Sequence, residues 1–134
     1  MIKYVRNAIR TPDGTVITSR HRHDFQQYTD KNTKTYAVDG GLEYIKVMYE
    51  GIPDYEDLSV PIEGTPFEIQ REVFSWGTYG ADGKQEKRYV LLKDLQDQHL
   101  QAILQTQTHI RGTGIDSMIQ MEIDYRAWHG ITIE

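Results

Sequence analysis

His21 and His23 stand two residues apart, with Asp24 beside them. On a β-strand side chains alternate, so both imidazoles would share one face and Asp24 would point the other way. Two imidazoles can grip one metal ion, but a zinc-type site takes three or four ligands. The metallo-hydrolase pattern His-x-His-x-Asp-His is broken here, because Asp24 arrives one residue early and Phe25 follows it. His99, His109 and His129 stand singly, with no His-x-x-x-His spacing. Polar, hydrogen-bonded strand histidines are therefore the preferred reading. A metal-dependent phosphodiesterase or hydrolase using His21 and His23 is the rival.

Three further groups carry ligand chemistry. Asp39-Gly40-Gly41 could leave backbone N–H groups free for an anion. The chain has neither Gly-x-x-x-x-Gly-Lys-Ser/Thr nor Gly-x-Gly-x-x-Gly, so a tight turn requiring positive φ is the stronger reading. Phe74-Ser75-Trp76-Gly77-Thr78-Tyr79-Gly80, followed by Lys84 and Arg88, pairs aromatic rings with cations. Rings of this kind stack bases while Lys or Arg meets phosphate. Phe74, Trp76 and Thr78 also alternate, as one buried face of a strand would, and both readings stand open. His109-Ile110-Arg111-Gly112-Thr113-Gly114 is either an ordinary linker or an anion grip ahead of a helix N-terminus. Nucleophilic catalysis has no support: there is no cysteine, no Gly-x-Ser-x-Gly, and Ser19, Ser59, Ser75 and Ser117 stand in no recognisable setting. The carboxylates pair with no identifiable base. The chain is read as a non-enzyme without cofactor or metal.

The elements that must position these groups begin with strands at Ile2–Arg10 and Thr15–Arg20, joined by the turn Thr11-Pro12-Asp13-Gly14. His23–Thr29 and Thr35–Val38 form a second expected hairpin around Asp30-Lys31-Asn32-Thr33. Leu42–Tyr49 is short helix or strand. Glu50–Glu63, with its five carboxylates and two prolines, reads as an acidic loop with a short edge strand at Leu58–Val60. Pro66–Arg71 suits one helical turn. Glu72–Tyr79 and Lys87–Leu92 make a third hairpin across Gly80-Ala81-Asp82-Gly83. The period then changes: amphipathic spacing predicts helices over Gln96–Thr106 and Asp116–Trp128, the second stopped by Gly130. Strands first and helices last predict an α+β domain spanning 1–134. Antiparallel hairpins would fill 1–93, and two C-terminal helices over 94–134 would pack on one side of the sheet.

Composition bounds the rest. The 134 residues suffice for one domain with a real core, and zero cysteines leave out disulfides and thiolate sites. No apolar run spans a membrane and Met1–Arg6 lacks a signal-peptide core, so a cytoplasmic protein is expected. Net charge is −5, yet residues 1–35 hold seven Lys/Arg against three Asp/Glu. The remaining residues are strongly acidic. Such a chain will not coat long nucleic acid, but a local basic pocket could hold a small anion.

Arg6-Asn7-Ala8-Ile9, Pro12-Asp13-Gly14-Thr15, His21-Arg22-His23-Asp24-Phe25, Val38-Asp39-Gly40-Gly41-Leu42-Glu43-Tyr44, Trp76-Gly77-Thr78-Tyr79-Gly80 and Asp124-Tyr125-Arg126 together resemble small phage-encoded proteins. The pattern covers most of the chain. Some relatives carry Cys-x-x-Cys where this chain has its Thr11–Gly14 and Asp30–Thr33 turns, which implies a zinc-pinned hairpin replaced here by turn chemistry. The chain is similar to the first type of phage Thoeris anti-defence protein. That resemblance implies a sponge that sequesters a cyclic ADP-ribose isomer or cyclic oligonucleotide without cleaving it. It also implies a homodimer or higher homo-oligomer in the host cytoplasm, with ligand sites between protomers. The family's ligand contacts do not map position by position. Chemistry alone assigns Trp76 or Tyr79 to the base, Lys84, Arg88 and Arg111 to phosphate, and His109 to ribose or phosphate. A protein-binding inhibitor acting through the acidic 50–63 loop is a third reading.

Overall fold

The computed structural model describes residues 1–80 and 82–134; Ala81, within the third expected turn, lies outside the described residues. The fold is α+β, with antiparallel strands and helices concentrated in the C-terminal half. The chain divides into two compact units, Ile2–Thr65 and Pro66–Glu134. The sheet-to-helix change at residue 93 is not the boundary between them, because the third hairpin falls in the same unit as the helices. No helix is long and apolar enough to cross a membrane among the described residues.

In the N-terminal unit, β1 (Tyr4–Arg10) pairs with β2 (Val16–Ser19), and β3 (Gln26–Thr29), β4 (Thr35–Asp39) and β5 (Lys46–Tyr49) form a second sheet. Ile9, Ile17, Tyr36 and Val38 are buried together, with Tyr28, Val47 and Tyr55 packed around them. Inward positions alternate along β2, whereas Asn7, Ala8 and Ile9 of β1 are buried in succession. The acidic loop contributes two short edge pieces, β6 (Glu56–Asp57) and β7 (Val60–Pro61), which both pair with β1. Of the expected Leu58–Val60 strand only Val60 lies in one of them, although the Leu58 amide still donates to the Ala8 carbonyl at 3.0 Å.

Both expected hairpin turns are present and share one hydrogen-bond pattern. Thr11 and Asp30 donate their N–H to the carbonyls of Thr15 and Lys34, and Gly14 and Thr33 donate back to Thr11 and Asp30, all at 2.9 Å. Gly14 and Thr33 both have positive φ. Asp13 ties the two turns together: its Oδ2 accepts from the Tyr28 hydroxyl at 2.6 Å and the Lys31 amide at 3.3 Å.

The expected strand from His23 is corrected. Residues 20–25 form a turn, with His23 at φ +63° and the Asp24 amide donating to the His21 carbonyl. Ser19 Oγ donates to the Asp24 carbonyl at 2.6 Å, and the Arg20 amide donates to the Asp24 carboxylate at 2.8 Å, so local polar bonds outcompete the ladder. Leu42–Tyr49 resolves into a turn followed by β5.

In the C-terminal unit, α1 (Phe67–Val73) takes up Glu72 and Val73, which the sequence pattern assigned to the third hairpin. That hairpin is shorter, with β8 (Ser75–Thr78) against β9 (Arg88–Leu91). The two amphipathic segments are α2 (Asp97–Thr106) and α3 (Ile115–His129), and Gly130 caps α3 at φ +66°. Phe74, Leu92, Leu95, Leu100, Ile103, Ile110, Met118 and Ile119 are buried. Among them lies a charged centre. Glu122, fully buried, accepts from Arg71 at 2.8 and 2.9 Å and from Arg126 at 2.7 Å. Arg126 also donates to Asp97 and to the carbonyls of Leu92 and Lys93. Every charge in this centre has a partner, the condition under which burial is tolerated.

Candidate functional site

The Asp39-Gly40-Gly41 turn is built for close packing. Gly40 and Gly41 have φ of +109° and +55°, and a Cβ on Gly41 would lie 2.2 Å from the His21 carbonyl carbon. Their amides are taken, by Asp39 Oδ1 at 2.8 Å and Ser19 Oγ at 2.8 Å. No free anion cradle remains there. The neighbouring histidines sit in the turn, not on one face of a strand. His23 Nδ1 shares a hydrogen bond with the Tyr44 hydroxyl at 3.1 Å, and His21 faces Asp24 at 3.8 Å. Burial, then the Asp39 charge, pushes the Tyr44 phenol above its ordinary range. No group of three or more His, Asp or Glu side chains is placed to hold a metal ion among the described residues.

The linker between α2 and α3 is likewise self-satisfied. Asp116 accepts from the amides of Gly112 at 2.9 Å and Gly114 at 3.3 Å, which holds its carboxyl below the usual range. The chain's own carboxylate thus fills the helix-start position expected for a bound anion. His109, in a single 3₁₀ turn, and Arg111 just after it are both exposed.

The hairpin β8–β9 carries the other four expected residues. Trp76 pairs with Val90 and shares its face with buried Phe74 and Thr78; it is half-buried. Tyr79 is half exposed, and Lys84 and Arg88 are exposed. On the opposite face Gly77 pairs with Tyr89. A Cβ on Gly77 would meet Lys87 Cε at 2.7 Å and Tyr89 Cε1 at 3.0 Å, so the absent side chain is what lets both lie across the strand. Lys87 Nζ sits over two rings, 5.8 Å from the centre of Tyr79 and 5.4 Å from that of Tyr89. The distances suit cation–π attraction. Among the described residues, Lys84, Lys87 and Arg88 enter no ion pair.

Lys87 and Tyr89 escaped the sequence reading, although their two-residue spacing opposite Gly77 was there to find. On α2, burial and then the charge of Arg88 lower the pKa of His99. The structure gathers Trp76, Tyr79, Lys84 and Arg88 on one hairpin and leaves His109 and Arg111 on another element. No protein-family model, curated protein or solved structure matches the chain.

Proposed function

We propose that the protein binds a small cyclic nucleotide-type signal, a cyclic ADP-ribose isomer or cyclic oligonucleotide, and sequesters it uncleaved as a phage anti-defence sponge. One observation carries the binding: Lys87 lies over the exposed rings of Tyr79 and Tyr89, and among the described residues it enters no ion pair. Aromatic faces accept bases regardless of sequence, and unpaired cations beside them accept phosphate. The kind of nucleotide and the anti-defence role rest on the resemblance of the motifs. Such a face is open on one protomer, so tight capture calls for a second wall.

The rivals have less to stand on. The hydrolase reading needed His21 and His23 on one strand face, and they lie in a turn. The inhibitor reading works through the acidic 50–63 loop, where four of the five acids already serve the fold. Glu50 accepts from the Thr35 amide, Asp54 from Tyr36 and Lys34, Glu56 from Arg10, and Asp57 from the Ser59 amide.

The test is a thermal-shift screen against cyclic ADP-ribose isomers and cyclic di- and trinucleotides, followed by heating the complex and analysing the released nucleotide. A ligand at about 100 times its Kd should stabilise the fold by about 2.7 kcal/mol. The nucleotide should come back intact, and Tyr79→Ala or Lys87→Ala should abolish the shift. Chemically altered nucleotide dependent on added divalent metal would favour the hydrolase. No shift with any nucleotide would end the proposal.

A further inference from the structure

We infer that the Asp82–Gly83 step is a site of spontaneous backbone modification, at which the folded protein converts aspartate to isoaspartate while its other Asp-Gly steps are held. The sequence has three such steps, Asp13-Gly14, Asp39-Gly40 and Asp82-Gly83. Glycine makes each of them reactive, because no Cβ shields its amide nitrogen or restricts the torsions that bring it to the carboxyl. That nitrogen attacks Cγ of the aspartate and forms an N–Cγ bond. The carboxyl hydroxyl leaves with the amide proton as water, which closes a succinimide ring. Water then adds to either ring carbonyl and breaks its bond to nitrogen. Addition at the former main-chain carbonyl routes the backbone through Cβ and Cγ, which is isoaspartate. One water leaves and one returns, so composition is unchanged and no other reactant is needed.

The fold treats the three steps differently. Asp39 is closed by packing. The Gly40 amide donates to Asp39 Oδ1 at 2.8 Å, and Gly40 is buried against the Tyr44 main chain, whose carbonyl oxygen a Cβ would overlap. That peptide has no room to swing its nitrogen onto Cγ. Asp13 is closed by its partners. Its Oδ1 accepts from the Thr11 hydroxyl at 2.5 Å and the Thr15 amide at 3.0 Å, and its Oδ2 from the Tyr28 hydroxyl at 2.6 Å and the Lys31 amide at 3.3 Å. The Gly14 amide is itself bonded to the Thr11 carbonyl at 2.9 Å. Donors to the carboxylate favour its ionised form, which has no hydroxyl to expel.

Asp82 and Gly83 are both exposed, and nothing stands within 4 Å of the place a Gly83 Cβ would take. Among the described residues the Asp82 carboxylate has one hydrogen bond, from the Lys84 amide at 3.0 Å, and the Gly83 amide donates to the Gly80 carbonyl at 3.1 Å. Five bonds thus restrain the Asp13 step and two the Asp82 step. At roughly two- to tenfold per bond, the difference puts Asp13 at least about tenfold behind. The isomer lengthens the main chain by one atom in the connection between β8 and β9. The inference stands apart from the nucleotide reading, since it uses neither the rings nor the cations of that hairpin.

Incubating the folded protein for weeks at neutral pH in water enriched in heavy oxygen tests it, because each succinimide that hydrolyses takes up one solvent oxygen. Trypsin in ordinary water then puts the three steps in separate peptides, 11–20, 35–46 and 72–84, each with a single aspartate. Label should enter 72–84 at least about tenfold faster than either of the others. Electron-transfer fragmentation should place isoaspartate at position 82. Asp82→Glu, whose extra methylene disfavours ring closure, should clear the label from 72–84 and leave the other two peptides as they were. In guanidinium-unfolded protein all three should label at comparable rates, which isolates the fold as the selector. Equal label across the folded protein, or label led by 11–20 or 35–46, overturns the proposal. So does a folded 72–84 that stays unlabelled while its unfolded counterpart reacts.

Discussion

Asp13 is the residue through which two turns of the N-terminal unit hold each other. Its carboxylate accepts from the Thr11 hydroxyl at 2.5 Å, the Tyr28 hydroxyl at 2.6 Å and the Thr15 amide at 3.0 Å. These donors, Thr11 foremost and Tyr28 next, hold its pKa far below the usual carboxylate range. A depressed folded pKa means that the ionised form is favoured in the fold. Its contribution is complete above the unfolded value of roughly 3.9 and drains away as pH falls toward the folded value. Asp13→Asn has no such proton to gain. Chemical denaturation across an acid series should therefore show a steep loss of stability below about pH 4 in the wild type. The loss should be shallower in the variant. Equal slopes would mean that the hydrogen bonds do not distinguish the ionised carboxylate. The turns themselves were legible in the sequence, since Pro12-Asp13-Gly14 specifies its backbone angles locally. Asp13's hold on Tyr28 and Lys31 was not, because it joins residues 15 and 18 positions away.

At the scale of elements, the same divide between local and tertiary information recurs. The helices over 97–106 and 115–129 emerged from periodicity, and Gly130 stopped the second as expected. The strand at His23 failed because Asp24 and Ser19 divert the backbone into a turn, an outcome that apolar alternation does not register. On the β8–β9 hairpin, the alternation correctly marked Phe74 and Thr78 as inward, but the face that carries Lys87 and Tyr89 depends on strand register. Gly77 is the residue that makes this face. A Cβ there meets only the far ends of two flexible side chains, so Gly77→Ala should move stability within about 1 kcal/mol in either direction. It should displace Lys87 and Tyr89 from their crossing and weaken nucleotide binding at least about tenfold, or 1.4 kcal/mol. Titration calorimetry beside a thermal melt separates the two effects. Unchanged affinity would remove the outer face from the site and return attention to Trp76.

Over the whole molecule, each compact unit has a core of a different kind. The N-terminal one is apolar, around Ile9, Tyr36 and Val38, whereas the C-terminal one encloses the pairing of Glu122 with Arg71 and Arg126. That charged centre explains why α3 lacks a clean apolar stripe: Glu122 and Arg126 occupy part of its buried face. Breaking such a pair costs about 3–5 kcal/mol, because the remaining charges stay buried without compensation. Glu122→Gln keeps the volume and removes the charge, so its cost should fall on the C-terminal unit. Both tryptophans, Trp76 and Trp128, belong to that unit, and the N-terminal unit has none. Tryptophan fluorescence therefore follows one core, while far-UV circular dichroism follows both. In Glu122→Gln the fluorescence midpoint in urea should fall well below that of the wild type. The dichroism should divide into two steps, the later one keeping its wild-type midpoint. A single coincident transition by both probes, shifted as a whole, would show instead that the two cores unfold as one cooperative body.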